Sequence, residues 1–308
     1  MRIGFIGLGN VGAPLARNLQ RAGHALMVRD LDRTRAAELL DHGAGWAETP
    51  RALAEGAEVV ITSLPSPAAV AAVMEADDGV LAGLGPDSVW IEMSTTDAAE
   101  VRRLAALVAE RGAATLEAPI TGGCHRAVSG DISILAGGEA VDFARCRPLL
   151  EAMGGTVLHV GPLGQASVLK VITNMLAFVH LVAAGEGLML AAKAGIDLNR
   201  AYAGIKASSG NSFVHETESQ VILNGSYNIG FTMDLACKDL GLAQALGREF
   251  GVPLALADRV AETFARARGE YGDRAWSSQV VKLLEDACRC PMRAPGFPAE
   301  LVDEAGGG

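Results

Sequence analysis

Two groups of residues in this chain have the types and spacing for chemistry: Gly7, Gly9 and Gly12 near the start, and Lys170 with Asn174 past the middle. The glycines belong to the run Gly7-Leu8-Gly9-Asn10-Val11-Gly12, a G-x-G-x-x-G. It follows a strand-like apolar stretch and opens a helix-like one over 13–19, the context in which this spacing binds a dinucleotide. Gly7 would permit the tight turn, Gly9 the close approach of backbone to a pyrophosphate, and Gly12 close packing of helix on strand. The pyrophosphate would sit on free N–H groups at the helix N-terminus, where the dipole favours negative charge. Asp30 closes the next apolar run, where a carboxylate accepts hydrogen bonds from ribose hydroxyls and repels a 2′-phosphate. NAD is therefore the expected cofactor. Arg29, Arg33 and Arg35 could pair with such a phosphate, so NADP stays open.

The second group lies just after Gly161-Pro162-Leu163-Gly164, where a turn leads into a long apolar helical stretch. Lys170 and Asn174 are one turn apart and share a face. A lysine flanked by Leu169, Val171 and Ile172 is partly desolvated, which lowers an ammonium pKa and suits proton transfer near neutral pH. A lysine there can also snorkel, with its ammonium in water. Spacing alone leaves both readings open.

The elements that must position these groups divide the chain in two. At 308 residues two domains are expected. Strand candidates at 2–6, 25–29, 59–63, 88–93, 114–118, 132–136 and 157–160 alternate with helical patterns such as 97–111, which means βαβ units and a mostly parallel sheet. From 166 to about 195 runs one apolar helical stretch, followed by helical patterns without a convincing strand. Lys170, Asn174, His180, Glu186 and Lys193 interrupt it, so a core helix is expected there and not a membrane span. The fold class is α/β: an N-terminal Rossmann dinucleotide-binding domain (1–163), then an all-α domain (164–292) beginning with a long interdomain helix. A flexible tail is expected over 293–308.

Half the residues are apolar and the net charge is −10, which argues against nucleic acid or an anionic membrane as partner. The five cysteines form no C-x-x-C pair, so neither a zinc site nor a disulfide framework is implied, and no metal is expected. A reducing, cytoplasmic compartment and a homodimer or homotetramer are the expectations. His180 and Glu186 read as groups that satisfy each other or a partner subunit.

Several separated motifs give the chain a family resemblance. They are the N-terminal glycine run with Pro14 and Asn18-Leu19, Leu64-Pro65, Ser94-Thr95, and Glu117-Ala118-Pro119-Ile120-Thr121-Gly122-Gly123. The series continues with Gly130-Asp131 through Gly137-Gly138, Gly161 and Gly164 with Lys170 and Asn174, and Lys238-Asp239-Leu240. Over about residues 2–290 the chain resembles the β-hydroxyacid dehydrogenase family, the group of 3-hydroxyisobutyrate dehydrogenase and tartronate semialdehyde reductase. The resemblance implies hydride transfer between a nicotinamide and the hydroxyl carbon of a short β-hydroxy acid, or its semialdehyde in reverse. Lys170 would be the general acid/base, and Asn174 would hold the substrate oxygen.

Thr121, Gly122 and Gly123 would cradle the substrate carboxylate, and Lys238 would close over substrate and nicotinamide where the domains meet. Gly7, Leu8, Gly9, Asn10, Val11, Gly12, Asp30, Leu64, Pro65 and Thr95, with Lys238, would hold the cofactor. The family often has serine where Thr121 stands and glycine where Ala166 stands; both changes are small. Cys124-His125-Arg126 is less usual, and Arg126 with His125 would suit a second anionic group on the substrate. Two other readings stand beside this one. An imine reductase shares fold and cofactor but lacks the lysine, and a sensor or assembly module would bind the dinucleotide without turnover.

Overall fold

The computed structural model describes residues 1–301, which form two compact units, one from Met1 to Lys170 and one from Val171 onward. The first unit is a nine-stranded sheet. Its strands are β1 (Arg2–Ile6), β2 (Ala25–Arg29), β3 (Gly45–Trp46), β4 (Val59–Thr62), β5 (Val89–Glu92), β6 (Ala114–Glu117), β7 (Ile120–Thr121), β8 (Ser133–Gly137) and β9 (Thr156–Gly161). They run in the order β3-β2-β1-β4-β5-β6-β8-β7, with β9 paired to β8. The stretch β3-β2-β1-β4-β5-β6 is parallel throughout and has the doubly wound Rossmann order. The order reverses between β1 and β4, and the crevice outside the carboxyl ends of those two strands is where such sheets bind ligands.

Alternation along the strands builds a core on each face. Ile3 and Phe5 of β1, Val59 and Ile61 of β4, and Val89 and Ile91 of β5 join Leu15 and Leu19 of the first helix, Gly12–Arg21. On the opposite face Ile6, Val60 and Trp90 pack with Leu53, Met74, Leu104 and Val108. The helix Ala98–Ala109 starts where Asp97 accepts hydrogen bonds from the Ala99 and Glu100 N–H groups. β3 and β7 were not anticipated: at two residues each they are too short to show a period.

The long helix is Gln165–Lys193. The compact units divide within its second turn and not at its start, because its first residues are bonded to β6. In the second unit its residues Phe178, Leu181, Leu188 and Met189 join Val260, Phe264 and Met233 in a helical core. By length and composition this helix could cross a membrane, yet polar groups punctuate it and part of it lines a core. The expectation of a buried core helix is corrected for part of its surface. Only 28% of its most apolar stretch is buried, and Ile172, Leu176 and Leu190 are exposed. Their spacing puts all three along one open face.

The expected flexible tail is corrected over 293–301. The Ala294 N–H donates to the Leu223 carbonyl, Asn224 to the Phe297 carbonyl and the Ser226 hydroxyl to the Ala299 carbonyl. The remaining residues, 302–308, lie outside the described residues. This segment is anchored by buried Glu285, which accepts from the Tyr227 hydroxyl, the Met292 N–H at 2.8 Å and the Arg293 guanidinium at 2.7 Å. Burial and the bond to Glu285 push the Tyr227 phenol well above its ordinary value, so it stays a donor. Glu285→Ala strands all three donors and should cost about 3 kcal/mol, the scale for breaking a buried charged pair. Thermal or denaturant melts check this; an unchanged midpoint would contradict it.

Candidate active site

The glycine run fits a dinucleotide on structural grounds. Gly7 has φ +97°, and a Cβ there would stand 2.2 Å from the Ser63 carbonyl oxygen. A Cβ on Gly12 would stand 1.9 Å from the Gly7 carbonyl oxygen, so no side chain fits where the first helix meets the β1 turn. Gly9 is half-open, its added Cβ meeting only the Arg35 guanidinium at 3.7 Å. No side chain caps the helix at Val11, which leaves the N-terminal backbone to a ligand. Asp30 is held in place: its Oδ2 accepts the Leu8 N–H at 2.6 Å and its Oδ1 the Asp32 N–H at 3.0 Å. The carboxylate therefore stays fixed beside the turn at the end of β1.

Leu64 and Pro65 follow β4 after Ser63, across the topological switch from that turn. The Leu64 N–H donates to the Ser94 hydroxyl at 2.8 Å, which ties this turn to the end of β5. Behind it lies a polar network that sequence reasoning missed. Buried Glu92 accepts the Ser94 N–H at 2.7 Å and the Thr62 hydroxyl, and the Trp90 indole donates to Thr62 at 2.8 Å. Thr95 follows this anchored serine and is half-buried.

Thr121 lies on β7, paired with Ser133 of β8. Gly122 and Gly123 follow with φ +123° and +92°, a conformation glycine takes without strain. Two side chains crowd them. Arg126 Cδ is 3.1 Å from where a Cβ on Gly122 would stand, and the His125 ring is 2.8 Å from one on Gly123. Burial pushes the neighbouring Cys124 thiol up to about 11, so it stays a neutral thiol.

The lysine helix begins against Glu117, at the carboxyl end of β6. This fully buried carboxylate accepts the N–H groups of Gly164 at 2.6 Å, Ala166 at 2.9 Å and Ser167 at 3.2 Å, and the Ser167 hydroxyl. Lys170 follows in the next turn and is only 6% exposed, so the snorkelling alternative does not describe it. In the second unit Asn174 donates to Asp239 at 2.6 Å, and Lys238 pairs with the same carboxylate at 2.9 Å. Asp239 is fully buried. It joins two expected site residues and was itself missed, because its partner is 65 residues away in sequence.

Other candidates resolve as structure. His215 is buried, with its ring nitrogens on the Tyr202 carbonyl and the Ser219 hydroxyl, each at 3.1 Å. His180 and Glu186 lie exposed on the long helix. Among the described residues no group of three or more His, Cys, Asp or Glu side chains is arranged to hold a metal.

Comparison with known proteins gives these features their context. Residues 2–161 match the model of the NAD binding domain of 6-phosphogluconate dehydrogenase. Residues 164–284 match that of the NAD-binding domain of NADP-dependent 3-hydroxyisobutyrate dehydrogenase. The chain is 36% identical to 3-hydroxyisobutyrate dehydrogenase of Pseudomonas aeruginosa, covering 90% of this chain and 96% of the relative. It belongs to the 3-hydroxyisobutyrate dehydrogenase family.

Members of this family are NAD(P)-dependent oxidoreductases acting on the CH–OH group of small hydroxy acids, and this chain is one of them. The 2-(hydroxymethyl)glutarate dehydrogenase of Eubacterium barkeri is 32% identical, covering 92% of this chain and 95% of that one. The solved 3-hydroxyisobutyrate dehydrogenase of Salmonella typhimurium superimposes with TM-score 0.85 at 32% identity, covering 92% of this chain and 99% of that one. An imine reductase of Streptomyces aurantiacus reaches 0.59 at 22% identity, a likeness of fold alone.

One ionisable group on the helix Phe213–Asn224 should make stability pH-dependent. Glu218 has a buried Oε2 without a hydrogen-bond partner among the described residues, and burial pushes its carboxyl up to about 8 from 4.5. Between those values the native carboxyl keeps its proton while the unfolded one has lost it, so stability falls as pH rises. Glu218→Gln should be the more stable protein at pH 8.5 by at least ~1 kcal/mol, since one pKa unit is worth about 1.4 kcal/mol. Melts at pH 5.5 and 8.5 check this; parallel profiles would contradict it.

Proposed function

We propose that the chain oxidises a short β-hydroxy acid, or reduces the matching semialdehyde, with Lys170 as the general acid/base. The observation that carries this reading is a lysine buried one turn past a helix start that is itself clamped to the nucleotide-binding sheet. In oxidation neutral Lys170 takes the proton from the substrate hydroxyl; in reduction its ammonium returns one to the carbonyl oxygen. When bound, the nicotinamide supplies the hydride acceptor or donor. Asn174, one turn along, orients the substrate oxygen while Asp239 fixes its amide. Thr121 and the N–H groups of Gly122 and Gly123 hold the substrate carboxylate, and Lys238 completes the charge balance around substrate and cofactor. Holding hydroxyl and carboxylate together lowers the barrier by orientation as well as by proton transfer.

NAD is the preferred cofactor in this reading. The Asp30 carboxylate would repel a 2′-phosphate. Of the three arginines that could bind one, Arg29 donates to the Ala47 carbonyl and Arg33 pairs with Glu48, while Arg35 stands beside Asp30 and Asp32, whose carboxylates oppose a further anion there. Gly7, Leu8, Gly9, Asn10, Val11 and Gly12 take the pyrophosphate, and Leu64, Pro65 and Thr95 flank the nicotinamide half. The enzyme is proposed to work in the cytoplasm as a homodimer or homotetramer. The open apolar face of the long helix supports the assembly.

Within the substrate class, an acid with two anionic groups is favoured. Arg126 and His125 lie over the two glycines that take the first carboxylate. A relative similar over nearly its whole length is named for a dicarboxylate, 2-(hydroxymethyl)glutarate.

Steady-state assays with NAD and NADP against 3-hydroxyisobutyrate, L-serine, L-threonate and 2-(hydroxymethyl)glutarate test the reading. Lys170→Ala should lower kcat by about 10²–10⁴-fold, the range for losing a general base. Equal turnover by wild type and variant would refute the role of Lys170, and a strong NADP preference the cofactor assignment. Arg126→Ala should raise KM for the dicarboxylate about tenfold or more, the scale of a charge-assisted contact, with little change for L-serine. Equal effects on both would contradict the second-anion reading.

A further inference from the structure

We infer that Glu117 is a positioning residue for Lys170, an inference that rests on the acid/base reading above. A helix leaves its first N–H groups without intrahelical partners, and a local side chain usually caps them. Here the cap comes from another element. Glu117, the last residue of β6, reaches the helix 47–50 residues later in sequence and accepts Gly164, Ala166 and both donors of Ser167. Both carboxylate oxygens are used, and the side chain has no exposure to water.

Space around Glu117 is reserved. β6 and β8 pair Glu117 with Gly137, where an added Cβ would stand 2.3 Å from Glu117 Oε1. Gly164 has φ +98° and carries one of the three N–H groups.

Two consequences reach Lys170. Side chains on a helix lean toward its N-terminus and meet residues three and four positions earlier. The Lys170 stem therefore lies along the turn of Ala166 and Ser167, the residues Glu117 holds. A shift of that turn moves the amine directly. Secondly, an ammonium near a helix N-terminus stands at the unfavourable end of the dipole. A buried carboxylate on the same N–H groups supplies the opposing charge, so Lys170 can hold a proton during the reaction while remaining buried. The side-chain hydrogen bonds of Glu117 go to the start of the lysine helix and not to the glycine run or Leu64.

The test is a double-mutant cycle. Glu117→Gln keeps volume but cannot accept all four donors, and Ser167→Ala is a milder cut that leaves the carboxylate in place. Each is made in wild type and in Lys170→Ala, with kcat, both KM values and melting read out at high enzyme concentration. Glu117→Gln should lower kcat about 10–100-fold and Ser167→Ala about 3–10-fold, with KM for the dinucleotide within twofold, because misplacing a catalytic group costs orientation. In the Lys170→Ala background neither should remove more than about another twofold, the signature of two residues acting as one unit.

Full multiplication of the losses, an unchanged kcat in folded Glu117→Gln, or a loss confined to dinucleotide KM would overturn the inference. If Glu117→Gln does not fold, the Ser167→Ala arm decides by the same criteria. A Lys170→Ala protein with undiminished kcat would instead refute the acid/base reading itself, so the two failures are distinguishable.

Discussion

A row of buried polar side chains along the carboxyl edge of the sheet holds the working parts of this enzyme in register. Thr62, Glu92, Glu117 and Gly137 are successive register partners on β4, β5, β6 and β8. Register partners point to the same face, and at this edge that face carries two carboxylates with almost no exposure. A charge so buried is costly unless it is bonded. Glu92 is bonded to Thr62 and Ser94, and through Ser94 it fixes the Leu64 turn. Glu117 is bonded to the first turn of the lysine helix. The cost of burial thus becomes rigidity where the Leu64 turn and the start of the lysine helix meet the sheet.

The same logic operates in the second unit. Asp239, without exposure, binds Asn174 on the long helix and Lys238 beside it in sequence. Glu285 gathers Tyr227, Met292 and Arg293 and pins the chain after the last helix. Each carboxylate joins segments far apart in sequence, and each loses most of its partners if the fold loosens. Cooperativity between fold and site follows from that arrangement.

Much of this was legible in the residues. Short apolar runs marked β1 and β2 to the residue, and the glycine spacing located a turn whose two outer glycines have no room for a side chain. The change of character near Gly164 located the start of the long helix. What stayed hidden was long-range. Glu117 read as the first residue of a substrate loop because its donors lie 47 and more positions away, and Asp239 read as part of a lysine motif. β3 and β7 are too short for any periodicity. The long helix read as one apolar stretch interrupted by five polar residues, and composition alone does not say which of its faces is open. The segment 293–301 looked loose from its Pro and Gly content, while its order comes from bonds to Leu223, Asn224 and Ser226.

In the proposed reaction the Lys170 amine meets the reacting hydroxyl. A crystal structure of the enzyme with NAD and an unreactive short hydroxy-acid analogue tests it most directly. The expected complex has Lys170 Nζ within hydrogen-bond distance of the analogue's hydroxyl oxygen, with that carbon facing nicotinamide C4 and the analogue's carboxylate on the Gly122–Gly123 backbone. An analogue bound with its hydroxyl remote from Lys170, or a dinucleotide seated away from the Gly7–Gly12 turn, would contradict it.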